Sequence, residues 1–141
     1  MFPHGQDILV VDNDPARRGL IERILADEGF AVTAVAEGLA ALREAGRRRF
    51  SVIIAAAGLP GSLDGAATVR QARARQPWLK ALFTEHATHC PRWDDPDSDE
   101  FIAAPFQRRE LLGCVFELTQ RDMLPGAVAL ARRYRAELTA S

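Results

Sequence analysis

Few residues in this chain have both the type and the spacing to do chemistry. Asp12 and Asp14 flank Asn13 directly after the apolar run Ile8-Leu9-Val10-Val11. Carboxylates two apart in a loop are hard-oxygen groups of the kind a divalent cation takes. The same residues also read as the start of a helix. Asp14 can cap it, and Pro15 then stands at the first helical position, where a missing N–H costs nothing. Two carboxylates alone make a weak metal site, so this helix start is the preferred reading of Asp12 and Asp14, with a cation as the lesser one. Asp64 lies beyond the Pro60-Gly61 turn and reads as a second helix cap rather than a reactive group. His86, His89 and Cys90 have ligand chemistry, but their spacing matches no standard zinc set. They read as polar loop residues, with metal binding left open. Cys114 falls in an apolar helical stripe and reads as core.

The place where chemistry is expected carries none. Phe50 to Gly65, FSVIIAAAGLPGSLDG, holds a short apolar run with the character of a strand buried on both faces. In parallel α/β sheets the loop after the carboxyl end of such a strand is the usual site of reaction. Ala55, Ala56 and Ala57 stand there, with no acid, base or nucleophile among them.

The elements that must position these residues alternate. Strands are expected at Ile8–Val11, Phe30–Val35, Val52–Ile54, Leu79–Thr84 and Phe101–Ala103. Helices are expected from Pro15 to a stop at Gly29, over Gly38–Arg48, from about Asp64 to Arg75, and over Glu110–Gln120. Alternating βα units predict a doubly wound parallel sheet with helices on both faces. Right-handed crossovers then bring Asp12-Asn13-Asp14, Ala56, Thr84 and Ala104 to one edge. One link departs from the alternation. EHATHCPRWDDPDSDE, between the fourth and fifth strands, is broken by Pro91 and Pro96 and crowded with acids, so a loop or one or two turns is expected. Val128, Ala131, Tyr134 and Leu138 fall near one helical face, predicting an added C-terminal helix.

With 141 residues and a formal charge of −1, the chain reads as one main domain with no global electrostatic case for nucleic acid. Of its 18 Lys and Arg residues only Lys80 is a lysine. Arg43, Arg47, Arg48 and Arg49, with Arg70, Arg73 and Arg75, read as solvated helix faces. No apolar run approaches the ~18 residues of a membrane span. The opening MFPHGQDI lacks the pattern of a signal peptide, so a cytoplasmic protein is expected.

Four segments in order resemble a response-regulator receiver domain, the CheY-like phospho-accepting module of bacterial two-component signalling. They are ILVVDND with Pro15, AEGLAALREAGRRRFSVII, GLPGSLDGAATVRQARARQPWLKALFTEHA, and FIAAPFQRRELLGCV. The resemblance covers residues 7–120, with 121–141 as a C-terminal helical extension. It implies a flavodoxin-like α/β fold with a five-stranded parallel sheet in the order 2-1-3-4-5. The fourth helix would be short or missing. It also implies a set of site positions. Asp12 is retained from the family's acidic pair, and Asn13 replaces the second acid. Thr84 is retained at the end of the fourth strand. Ala56 stands at the phospho-acceptor position and Ala104, before Pro105-Phe106, at the lysine position. Phe101 matches the family's switch aromatic.

An alanine methyl cannot attack phosphorus. The expectation is therefore a degenerate, stand-alone pseudo-receiver. It would be no enzyme, carry no cofactor or metal, and act by phosphorylation-independent contacts with other proteins of a two-component pathway. A histidine kinase, a regulator, an output protein or a second copy are the expected partners, and nucleic acid and membrane are not. The alternatives are a receiver phosphorylated at another acid such as Asp14, and a flavodoxin-like binder of a small ligand. Asp12-Asn13-Asp14-Pro15 stands where a glycine-rich phosphate loop would follow the first strand, which weighs against the last.

Overall fold

The computed structural model describes residues 6–86 and 100–120. Five strands and four helices alternate along them. They are β1 (Asp7–Val11), α1 (Pro15–Asp27), β2 (Ala31–Val35), α2 (Gly38–Ala45), β3 (Val52–Ala56), α3 (Gly65–Arg75), β4 (Lys80–His86), β5 (Glu100–Ala104) and α4 (Arg108–Gln120). All strands pair in parallel, in the order β2-β1-β3-β4-β5. This is the doubly wound α/β sheet that the alternation predicts. The short or missing fourth helix falls on residues 87–99 and the C-terminal helix on 121–141, both outside the described residues, as are His89 and Cys90.

Strand periodicity divides the core into two layers. Ile8, Val10, Val52, Ile54 and Leu82 face one side, where Ile21 and Leu25 of α1 and Leu111, Val115 and Leu118 of α4 cover them. Leu9, Val11, Ile53, Ala55 and Phe83 face the other, against Ala41 and Ala45 of α2 and Val69 and Ala72 of α3. Alternate side chains of one strand thus serve both layers, and β1 and β3 are apolar on both faces. Each fully buried Leu, Ile or Phe contributes roughly 1.5–3 kcal/mol. Cys114 is buried in the first layer, as its place in the stripe predicts.

The helix starts follow from their caps. The Asp14 carboxylate accepts from the backbone N–H of Ala16 at 3.0 Å, with Pro15 at the first position of α1. Asp64 accepts from Ala67 N–H at 2.8 Å and begins α3. Gly61, in the turn before it, has φ 94°, the left-handed value that a Pro-Gly turn demands of its second residue.

Several ends differ from the sequence expectation by a residue or two. The largest difference is at α2, which stops at Ala45 rather than Arg48. Gly46 lowers the helical preference there, and Gln76 supplies the replacement bonds. Its side-chain N–H group donates to the carbonyls of Ala45 and Arg48, each at 2.8 Å. Its oxygen accepts from Phe50 N–H at 2.8 Å. The fourth and fifth strands are longer than expected because pairing with each neighbour runs on to His86 and Ala104.

Candidate functional site

The sheet brings the singled-out positions to one edge. Val11 is level with Ala55, Ala56 with Thr84, and His86 with Ala104, so Asp12, Ala56, Thr84 and Ala104 all lie at the carboxyl ends of neighbouring strands. All four are buried. A hydrogen bond from Ala57 N–H to the Thr84 carbonyl, 2.8 Å, continues the pairing past Ala56. Gly65 closes the edge from α3. A Cβ there would lie 2.4 Å from the Ala56 carbonyl oxygen, so only glycine permits this approach.

Among the described residues, Asp12 is the one buried carboxylate of the edge, 1% exposed. Its electrostatics are governed by a residue that sequence reasoning passed over. Arg17, on the first turn of α1, reaches back over it. Arg17 Nε donates to Asp12 Oδ2 at 2.5 Å and Nη2 to Oδ1 at 2.9 Å, a two-pronged charge-assisted pair. Asp14 N–H donates to Asp12 Oδ1 at 2.9 Å, and Arg18 Nη1 donates to the Asp12 backbone carbonyl at 2.9 Å. Arg17 also lies 3.8 Å from Asp14 Oδ2. The hydrogen bond to Asp12 raises the Arg17 pKa above its ordinary value, with the charges of Asp12, Asp14 and Glu85 acting the same way and burial opposing them. A signal for this pair does exist in the chain. A basic residue in a first turn opposes the helix dipole, and α1 has no acid of its own in that turn.

Asn13 is exposed in the loop. Asp14 is engaged as the cap of α1. Phe101 is half-buried and packs against the layer formed with α2 and α3. Beyond Arg17, an apolar hollow of about 400 Å³ opens between Ala16 and Leu20 of α1 and Ala104, Pro105 and Phe106 after β5. Among the described residues, no three His, Cys, Asp or Glu side chains are grouped to hold a metal ion. The donor set at this edge does not fit a divalent cation either. One carboxylate is already saturated by a guanidinium, Asn13 faces solvent, and Ala56 offers no oxygen from its side chain.

The family model for the response regulator receiver domain matches residues 8–116. The chain belongs to the response-regulator receiver family. Curated relatives include Protein PetR of Rhodobacter capsulatus, 29% identical over 134 residues, covering 94% of this chain and 54% of the relative. The transcriptional regulatory protein TcrA of Mycobacterium tuberculosis is 28% identical over 124 residues, covering 86% and 49%. The chain thus spans about half the length of these relatives. Among solved structures, the receiver domain of sensor histidine kinase PA1611 from Pseudomonas aeruginosa superimposes with a TM-score of 0.70 at 30% identity, covering 83% of this chain and 96% of that one. That receiver has a magnesium ion coordinated in its active-site cleft. The chemotaxis response regulator CheY4 of Vibrio cholerae shares the fold, with a TM-score of 0.73 at 24% identity over 80% of this chain and 98% of that one.

Proposed function

We propose that this receiver domain is a pseudo-receiver, which signals through protein contacts without being phosphorylated. One observation carries the reading: where a receiver needs a free acidic pocket, Arg17 is clamped on Asp12, and the strand end opposite is Ala56. Ala56 takes the phospho-acceptor position and Ala104 the lysine position. Asn13 takes that of the second acid. Thr84 and Phe101 are retained without the reaction they would report. An alanine side chain has no lone pair to offer phosphorus. The guanidinium neutralises Asp12 permanently, which a dissociable cation does not. The domain is not an enzyme and takes no cofactor.

Its partners are other proteins of a two-component or phosphorelay system, a histidine kinase, a regulator or a second copy, in the cytoplasm. Neither nucleic acid nor membrane is a partner. No described helix is long and apolar enough to cross a membrane.

Incubation with acetyl phosphate and Mg²⁺, followed by intact mass, tests the chemical half of the reading. No phosphoryl adduct is expected, and a stoichiometric one would overturn it. A pull-down from the source organism, with and without a phosphodonor, tests the other half. The captured proteins should be the same in both.

A further inference from the structure

The opposite pole of the sheet carries a second arrangement of polar groups that the receiver chemistry does not use. A cleft of about 170 Å³ opens at the amino ends of β1, β3 and β4, against the last turn of α4. That is far more than the roughly 10–15 Å³ one water needs. Its walls carry two cations, Arg49 and Lys80, and the Ser51 hydroxyl, while the Thr119 hydroxyl donates to the Phe116 carbonyl at 3.2 Å. Lys80 is the chain's single lysine. Among the described residues no ion pair engages either cation.

Arg49 is nonetheless held in place. Its guanidinium lies 4.1 Å from the centre of the Trp78 ring. The ring is fixed in turn by its indole N–H, which donates to the Phe50 carbonyl at 2.9 Å. Two acids adjoin the lining in sequence, Glu117 beside Leu118 and Asp7 beside Gln6, and neither lines the cleft itself. For Asp7 the reason is its face of the strand. Strand alternation places it on the face of β1 that carries Leu9 and Val11, while Gln6 shares the cleft's face with Ile8 and Val10. Among the described residues, the cleft therefore has a net positive wall and no carboxylate lines it.

A further observation points to a ligand. Gln6, on the cleft wall, has a side-chain oxygen shut off from solvent with no hydrogen-bond partner. A buried acceptor left alone costs roughly 1–3 kcal/mol, so such groups are ordinarily satisfied. The missing partner must be a donor, while the cations and the Ser51 hydroxyl call for an oxyanion.

We infer that this cleft is a binding site for hydrogen phosphate. HPO₄²⁻ supplies acceptor oxygens to Arg49, Lys80 and Ser51, and one O–H for the Gln6 oxygen. Sulfate has the same shape and charge but no proton at neutral pH. The site stands apart from Asp12 and Ala56, at the other end of every strand, and does not depend on the pseudo-receiver reading.

Trp78 reports on it directly. In a Trp93→Phe chain it is the only tryptophan, so inorganic phosphate titrated at constant ionic strength should change its emission saturably. Lys80→Met should weaken binding about tenfold, the loss of one charge-assisted contact. Arg49→Gln should do the same and serves where Lys80→Met does not fold. Asp12→Asn should leave the affinity unchanged. Sulfate should bind severalfold more weakly than phosphate. An emission change that does not saturate, that chloride reproduces, or that survives both cation substitutions would overturn the assignment. Equal affinity for sulfate would overturn it too.

Discussion

The pairing of Arg17 with Asp12 makes a quantitative prediction. Arg17→Met keeps an aliphatic stem and deletes the guanidinium. Asp12 then stays buried at 1% exposure and keeps only the Asp14 N–H of its three side-chain hydrogen bonds. Stripping one partner from a buried ion pair costs about 3–5 kcal/mol. The Arg17 side chain is 28% exposed, so water enters the gap and the cost falls to about 2–3 kcal/mol. For a chain of this length about 1 kcal/mol moves the thermal midpoint by roughly 3–5 °C, so the midpoint should fall by roughly 6–15 °C. Asp12→Asn should cost less, about 1–2 kcal/mol, because the orphaned guanidinium can turn to solvent. The double variant holds no unpaired charge, so the two costs should not add. Urea denaturation of the four proteins should give a coupling of about 1.5–2.5 kcal/mol. Costs that add to within about 0.5 kcal/mol would refute the pairing as an energetic unit. The pH dependence has a definite sign. A raised Arg17 pKa means stability that is complete below the unfolded value, far into the alkaline range, and lost only as pH climbs through the still higher folded one. The coupling should therefore be the same at about pH 7 and about pH 10.

Other measurements follow from the same geometry. Millimolar Mg²⁺ should leave the thermal midpoint of the unaltered protein in place, since among the described residues no free carboxylate cluster exists for it. The midpoint of Arg17→Met should rise with Mg²⁺, and no rise would mean that Asp12 cannot take a cation even when freed. Ala56→Asp alone should acquire little phosphoryl group by intact mass. Adding Arg17→Met, Asn13→Asp and Ala104→Lys should increase it, and rapid labelling of the single variant would show that Arg17 is no obstacle. Gly65→Ala should destabilise by more than about 2 kcal/mol, because its Cβ meets the Ala56 carbonyl at 2.4 Å. Gly19→Ala, in α1 with nothing within 4 Å, should stabilise by about 0.5–1 kcal/mol. The reverse order in a thermal scan would contradict both. Gln76→Ala should cost about 2–4 kcal/mol in denaturant titration, since it strands the Ala45 and Arg48 carbonyls and the Phe50 N–H.

Sequence periodicity was enough for the sheet, because β1 and β3 are apolar on both faces and α1, α2 and α3 each have a capping residue or a glycine stop. Asp14 and Asp64 were legible as caps for the same reason: a cap bonds within three residues, so its partner is always nearby in sequence. Gln76 was not legible. It joins α3 to a loop 26 to 31 residues away, and its role depends on the α2 and α3 ends meeting. The cleft near Lys80 was hidden likewise, since its wall is drawn from three strand ends, a loop and a helix end. Lys80 itself stands at the start of β4, the wrong pole to serve the carboxyl edge.

Arg17 is the instructive omission. Taken as a helical residue it is merely unfavourable, a cation at the positive end of a dipole. Taken with the strand edge it is compensated twice, by Asp14 at the cap and by Asp12 beneath it. The acid at position 12 would hold a divalent cation in a working receiver, so the guanidinium and a metal are alternative answers to one charge. A tethered cation cannot dissociate, and its position is set by a helix turn rather than by concentration. If the carboxylate at position 56 were restored, the pocket would carry another negative charge that Arg17, already two-pronged on Asp12, has no free geometry to meet. The alanine at 56 and the arginine at 17 are thus physically consistent with each other: removing the acceptor acid leaves a charge that one fixed guanidinium can balance. On the proposed reading, a pocket balanced in this way has no charge to exchange, and the surface around it is held in one state.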